Sequence, residues 1–402
     1  MYKANTDILP SGWKYDYLDK YARRGSGHTP TKNVPQYWNG GILWVSLADS
    51  FNLDKGLISR TQKEISDEGV KNSSAVVHPA RTVILSRDAG VGKSAIIASP
   101  MAVSQHFMAW QCDNKEKINS WFLYNYLQLM KPEFERQAVG STIKTIGLPY
   151  FKDMKILIPP YKEQEKIGEI LSVWDQAIFT TEKILKNKKI ERLEIANSLL
   201  SGKRRFNGFS DWKNTLISSL ITESRIQGTN GNIAKKLTIK LYGQGIHSKN
   251  EKRLGSESTK YFRRLAGQFV YSKLDFLNGA FGIIPQRLDG YESTLDLPAF
   301  DFKESVDPLW FLRFVSRESF YLSQTSMAKG GRKARRVNPK DFLRVEVRVP
   351  SYEEQRKISE VISIADQEID KLLQKLACLK NEKKGLMQQL LTGKARVKVE
   401  AQ

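Results

Sequence analysis

Cysteine, histidine and long apolar runs are all scarce in this chain. Two cysteines among 402 residues, Cys112 and Cys378, cannot build a disulfide framework and are expected as reduced, buried thiols. Four histidines, His28, His78, His106 and His247, are scattered without the spacing of a metal pair or a catalytic triad, so no metal site is expected. No stretch of 18 apolar residues occurs, and the first ten residues have neither a basic start nor an apolar core; no membrane span or secretion signal is expected, and a cytoplasmic location follows. Acidic residues are outnumbered, 43 against 64 lysines and arginines, which gives a formal charge of +21. An excess of that size favours polyanions through counterion release, and nucleic acid is the first candidate partner.

What the chain does contain is a duplication. Residues 159–206 return at 350–397, with Pro159, Tyr161, Glu163-Gln164, Lys166-Ile167, Asp175-Gln176, Gly202-Lys203 and Arg205 matched by Pro350, Tyr352, Glu354-Gln355, Lys357-Ile358, Asp366-Gln367, Gly393-Lys394 and Arg396. Each copy follows a block of about 150 residues, one domain's worth. The expected division is 1–158, first head; 159–205, first helix; 206–349, second head; 350–402, second helix and tail.

Both copies carry a heptad seam. In the first it runs through Ile167, Leu171, Trp174, Ile178 and Leu185; in the second through Ile358, Ile362, Ile369, Leu372, Leu376, Leu379, Leu386 and Leu390. Ser351-Tyr352-Glu353-Glu354 reads as a capping box, and Gly202 and Gly393 as helix stops. Each helix should span about 38 residues, or about 57 Å. A compact second head requires the end of the first helix and the start of the second to lie close, so the pair should run antiparallel. The expected fold is mixed α/β: two globular heads separated by two antiparallel coiled-coil helices in a dumbbell with an approximate two-fold axis.

The heads open alike, on Trp13-Lys14 and Trp212-Lys213, and then diverge. Candidate DNA-contacting residues are Arg23, Arg24, His28, Thr29, Arg87, Lys93 and Lys144 in the first head. In the second they are Gln244, Arg253, Arg263, Arg264 and the basic run containing Lys329, Arg332, Lys333, Arg335 and Arg336. Arginine suits guanine, and an amide such as Gln244 suits adenine. Gly90-Val91-Gly92-Lys93-Ser94 imitates a phosphate loop, but Arg87 stands where its first glycine is needed; a hairpin turn presenting Arg87 and Lys93 is the better reading. Ile158-Pro159-Pro160-Tyr161 imitates the tetrad of amino methyltransferases, yet Ile158 offers no hydrogen bond to a target amino group.

Proline followed by Glu-Gln-x-Lys/Arg-Ile, a heptad helix and Leu-Leu-x-Gly-Lys, twice, after blocks that open on Trp-Lys, resembles the specificity subunit of a type I restriction-modification enzyme. That resemblance implies two target recognition domains reading the halves of a split site on double-stranded DNA. It implies helices that act as a spacer and bind two methyltransferase subunits, with up to two restriction subunits in the full complex. It further implies a non-catalytic chain with no bound cofactor, S-adenosylmethionine and ATP with magnesium belonging to the partners. Other readings of the residues are an ATP-dependent nucleic-acid enzyme built on the Gly90 to Ser94 turn, or a coiled-coil scaffold with a basic surface.

Overall fold

A computed structural model describes residues 9–112, 116–250, 255–331 and 335–399. The chain divides into two compact units, Met1–Leu185 with Lys371–Gln402, and Lys186–Asp370. The divisions fall inside the two long helices, Tyr161–Leu200 and Tyr352–Leu390. Each unit therefore holds one head, the start of one long helix and the end of the other.

In the first unit the head is anchored by an edge pair, Lys14–Tyr17 antiparallel to Lys155–Ile158, which brings the start of the head to the residue before the shared prolines. The central sheet has the order Arg23–Ser26, Phe107–Gln111, Val83–Ser86, Ser94–Ile97, Leu57–Ile58. Val83–Ser86 and Ser94–Ile97 are buried throughout because one face meets the helix Ser120–Gln137 and the other a second apolar cluster. A four-stranded sheet containing Trp38–Val45 is peculiar to this unit.

The second unit repeats the frame. Lys213–Leu216 pairs with Glu346–Val349, and a sheet runs Ile221–Ser224, Ala299–Phe302, Phe269–Tyr271, Phe281–Ile283 with the same antiparallel order as the first four strands above. Pro308–Val315 and Glu318–Ser323 stand where Ser120–Gln137 stands in the first unit, two short helices separated at Ser316 and Arg317. A three-stranded sheet and the hairpin Leu237–Ile239 with Ile246–Ser248 replace the Trp38 sheet.

The repeated Glu-Gln pair joins head to helix in both units. Gln164 donates to the Pro159 and Lys117 carbonyls and accepts from the Asn119 amide; Gln355 donates to those of Pro350 and Ser305 and accepts from Asp307. Asn119 and Asp307 are themselves the N-caps of the head helices, so one glutamine ties two helix starts together. Glu163, 3% exposed, accepts from Trp13 Nε1 at 3.2 Å and pairs with Arg396; Glu354, wholly buried, accepts from Trp212 Nε1 at 3.0 Å and from Arg205 at 3.1 Å. In each unit the glutamate comes from one copy of the repeat and the arginine from the other. Glu354 is thereby taken from the expected capping box, of which only the bond from its amide to Ser351 Oγ, at 3.3 Å, is present.

The same crossing fixes helix direction. In the first unit Asp175 meets Lys383 at 2.6 Å and Glu182 meets Lys380 at 2.7 Å; in the second Asp366 meets Arg192 at 2.7 Å, and Lys188 meets Glu368 at 3.3 Å. As one number rises the other falls, so the helices are antiparallel within each unit. Seam residues at the helix ends belong to the head cores. Ile167 and Leu171 pack with Leu386, Met387 and Leu390 in one, and Ile358 and Ile362 with Leu199 and Leu200 in the other. Leu185 is buried, whereas Trp174, Ile178, Ile369, Leu372, Leu376 and Leu379 are half-buried, as in a two-stranded seam. Cys378 departs from expectation: it lies on the open face of its helix, exposed, and Cys112 is half-buried.

Candidate nucleic-acid interface

Both units build the same rim from the connection between the two inner strands of the central sheet. In the first unit that connection is 87–93. Gly92 donates to the Ser86 carbonyl at 3.0 Å, closing a turn between antiparallel strands, and the close approach of Lys131 at Gly92 leaves no room for a Cβ. No helix follows the glycines, so the segment lacks the strand-to-helix architecture of a phosphate loop. A second hairpin is pinned beside it: Val139 and Thr145 exchange both backbone hydrogen bonds, at 3.1 and 2.9 Å, and buried Ile146 donates to the Arg87 carbonyl at 3.0 Å. Its tip, 140–144, is exposed throughout.

The second unit repeats this device with different side chains. Lys329 and Arg336 exchange both backbone bonds, at 3.0 and 2.8 Å, and buried Val337 donates to the Lys273 carbonyl at 3.0 Å. Gly140 and Gly330, one residue into each hairpin, have φ of 130° and 131°, a conformation open to glycine alone. The structural duplication thus includes the hairpins that follow Ala138 and Ala328, upstream of the repeat expected from residue 159. A tip one residue longer in the second hairpin hides it from an ungapped comparison.

Among the candidate residues, Arg87, Thr29 and Lys144 share the first rim. Arg87 receives its place from its amide bond to the His106 carbonyl, Thr29 Oγ1 bonds Gln105 in the same turn, and Thr145 bridges to Asp88. His106 Nδ1 lies 2.7 Å from Asp88. His28 is exposed and its carbonyl accepts from Trp44 Nε1. Lys93 lies on the connection, with its ammonium 3.3 Å from the Ser50 carbonyl. Arg23 and Arg24 sit at the other end of their strand, and Arg24 is held by Asp19 at 3.0 Å.

In the second unit the rim carries Lys329, Arg335, Arg336 and Gln244, all exposed. Lys329 reaches Asp341 at 3.3 Å and Arg336 reaches Asp296 at 3.5 Å, both solvated pairs of small energetic consequence. Arg263 is exposed on the separate three-stranded sheet. Arg253, Arg332 and Lys333 lie outside the described residues. Lys273, which sequence reasoning missed, is half-buried in the connection, and burial lowers its ammonium below the usual range. Its signal is positional: it follows its strand and a serine as Arg87 follows Ser86.

Arg264 is a correction. It is 1% exposed and donates to Ser293 Oγ at 2.8 Å and to the carbonyls of Ser224 and Leu297 at 3.0 and 3.1 Å, with burial pulling its guanidinium down to about 10. The sequence shows a basic pair, but strand alternation sends one member inward, and Arg264 is a structural cross-link. Arg264→Ala is expected to cost about 3–5 kcal/mol, because Ser293 Oγ and the Ser224 carbonyl lose a donor in a dry site, the Leu297 carbonyl keeping Ser293 Oγ, and the volume of a large buried side chain is emptied. Urea denaturation would measure it, and the salt dependence of DNA binding by the folded variant should equal that of the parent.

Among the described residues no helix is long and apolar enough to cross a membrane. A family model described as the type I restriction modification DNA specificity domain matches residues 10–192. The chain is 29% identical over 195 residues to the type I restriction enzyme MjaIX specificity subunit of Methanocaldococcus jannaschii, covering 47% of this chain and 44% of that one. It is 30% identical over 170 residues to the EcoR124I/EcoR124II specificity subunit of Escherichia coli, covering 40% of each. These alignments span less than half of either relative. A third, to the MjaVIII specificity subunit of M. jannaschii, covers 97% of this chain and 94% of that one at 22% identity. The fold is similar to the crystal structure of a type I system S subunit from M. genitalium, with a TM-score of 0.56 at 14% identity over 96% of this chain and 98% of that one. It is also similar to the HsdS subunit from Thermoanaerobacter tengcongensis, with a TM-score of 0.52 at 15% identity over the same shares.

Proposed function

We propose that the chain is a type I restriction-modification specificity subunit, that it reads a two-part, asymmetric DNA site, one part with each unit's rim, and that it supplies the address for adenine methylation and restriction carried out by partner subunits. The observation that carries this reading is the duplicated rim: a shared central sheet and a hairpin pinned to its inner connection, with Gly140 and Gly330 in equivalent places, presenting two unlike sets of side chains. A shared central frame gives both rims a like manner of approach to a duplex, and unlike side chains give each a different base preference.

Chemistry is delegated. Methyltransferase subunits supply S-adenosylmethionine, with the target base turned out of the stack, and restriction subunits supply ATP hydrolysis. Two copies of the methyltransferase fit the repeat: Val173, 62% exposed, and Ile364, 58% exposed, occupy equivalent positions on the two long helices, one in each unit, and offer the same apolar contact twice.

The test is to map methylated adenines in cells carrying this chain with its methyltransferase. A two-part motif is expected. Replacing residues 141–144 with a glycine-serine stretch should relax or abolish one part and leave the other unchanged. A single undivided motif, or simultaneous loss of preference in both parts with the protein still folded, defeats the reading.

A further inference from the structure

The turn Leu241-Tyr242-Gly243-Gln244 in the second unit is built at odds with its sequence. Tyr242 and Gly243 have φ of 55° and 70°, and the Gln244 amide donates to the Leu241 carbonyl at 3.3 Å, the two-residue reversal of a type I′ hairpin. Its strands are in register up to it, with Ile239 opposite Ile246 and Lys240 donating to Gly245 at 2.9 Å. Glycine suits the second central position. The first favours asparagine, aspartate or glycine, and a tyrosine there holds a left-handed backbone that its Cβ resists. Nothing in the packing compensates, because Tyr242 is 72% exposed.

The turn is nevertheless held firmly. Tyr242 donates to the Asn278 carbonyl at 2.9 Å and Gly243 to that of Gly279 at 3.0 Å. Both acceptors lie in the connection between Phe269–Tyr271 and Phe281–Ile283, the same connection whose Lys273 pins the basic hairpin 329–336. One segment thus fixes a cationic loop and an exposed aromatic ring on a single rim. Strain retained at an exposed, anchored ring is the mark of a side chain kept for what it touches.

We propose that the Tyr242 ring is a base-contacting residue of the second unit, packing against a nucleobase or its methyl group in the half-site while the neighbouring hairpin holds the phosphates. The proposal rests on the DNA-reading function above and names a residue that charge and motif do not single out. A tyrosine suits the task, with a large rigid face that loses little entropy on contact.

The test uses the full chain with its methyltransferase and two duplexes, one bearing the methylated site mapped for the parent and one scrambled. Tyr242→Asn removes the ring and favours the turn, so its melting temperature should stay level or rise. Its affinity for the site duplex should fall about 5- to 100-fold with an unchanged salt slope, and methylation should become degenerate at one position of one half-site. Tyr242→Phe should bind within about threefold of the parent. Parental affinity in Tyr242→Asn overturns the proposal; so does equal loss in both variants, which would assign the effect to the hydroxyl, or a loss accompanied by a lowered melting temperature, which would assign it to the turn. A parent that does not distinguish the two duplexes overturns the DNA-reading function, and this proposal with it.

Discussion

Glu354→Ala is expected to destabilise the second unit by about 3–5 kcal/mol, a loss as large as that expected of Arg264→Ala in the same unit. The carboxylate is wholly buried and accepts from Trp212 Nε1 at 3.0 Å and from Arg205 Nη2 and Nε at 3.1 and 3.3 Å. Removing it leaves a buried indole N–H without its acceptor and a guanidinium without its buried counter-ion. Arg205 retains Asp211 at 2.9 Å, which is solvent-exposed and holds the loss toward the lower end of the range. Glu354→Gln keeps an acceptor for Trp212 and should lose less. Chemical denaturation of the full chain, followed by tryptophan fluorescence, decides it. Glu163→Ala should act in the same way on the first unit, where Arg396 and Trp13 meet the same carboxylate chemistry. A loss below about 1 kcal/mol in both variants would mean that these glutamates are not the joints between head and helix.

That joint also shows how far the sequence could be read. The repeat at 159 and 350, the seam and the antiparallel direction were legible because a helix writes its period into the chain and a duplication writes it twice. The roles of Glu163 and Glu354 were not, since a capping box and a buried ion pair call for the same residue three places into a helix, and only the fold brings Trp212 and Arg205 within reach. The match between the heads was hidden for a different reason. Their shared strands are short and buried, and any apolar residues satisfy them: Val83–Ser86 and Phe269–Tyr271 do the same work without common letters. What the frame does demand is glycine at 140 and 330, where φ near 130° excludes side chains, and a single inserted residue broke that alignment. Charge was the weakest guide of all. Arg263 and Arg264 look alike in the sequence, yet one is exposed and the other is sealed among carbonyls.

Neutralising the described basic residues of the second hairpin, as Lys329→Ala with Arg335→Ala and Arg336→Ala, should have the largest effect on DNA binding of any change considered. Each phosphate left without its cation flattens the dependence of log affinity on log salt by about 0.9, so three such phosphates remove about 2.7 from the slope and leave affinity falling less steeply as salt rises. The weakening should be greatest in dilute salt and about equal on site and scrambled duplexes, since phosphate contacts position without specifying. Stability should change little. The pairs to Asp341 and Asp296 are solvated, and the hairpin itself is closed by backbone bonds that the substitutions leave in place. The corresponding change in the first unit, Lys144→Ala, removes one charge and should move the slope by at most about one, because residues 140–143 of that hairpin carry none. On the proposed function this asymmetry would separate the contributions of the two rims, the second expected to supply more of the electrostatic grip and the first to rely on short polar and apolar side chains at its tip. Salt titrations of the triple and single variants on one duplex measure both contributions. An unchanged slope in the triple variant would show that the second hairpin does not touch the backbone, and a larger slope change for Lys144→Ala than for all three would reverse the assignment of the rims.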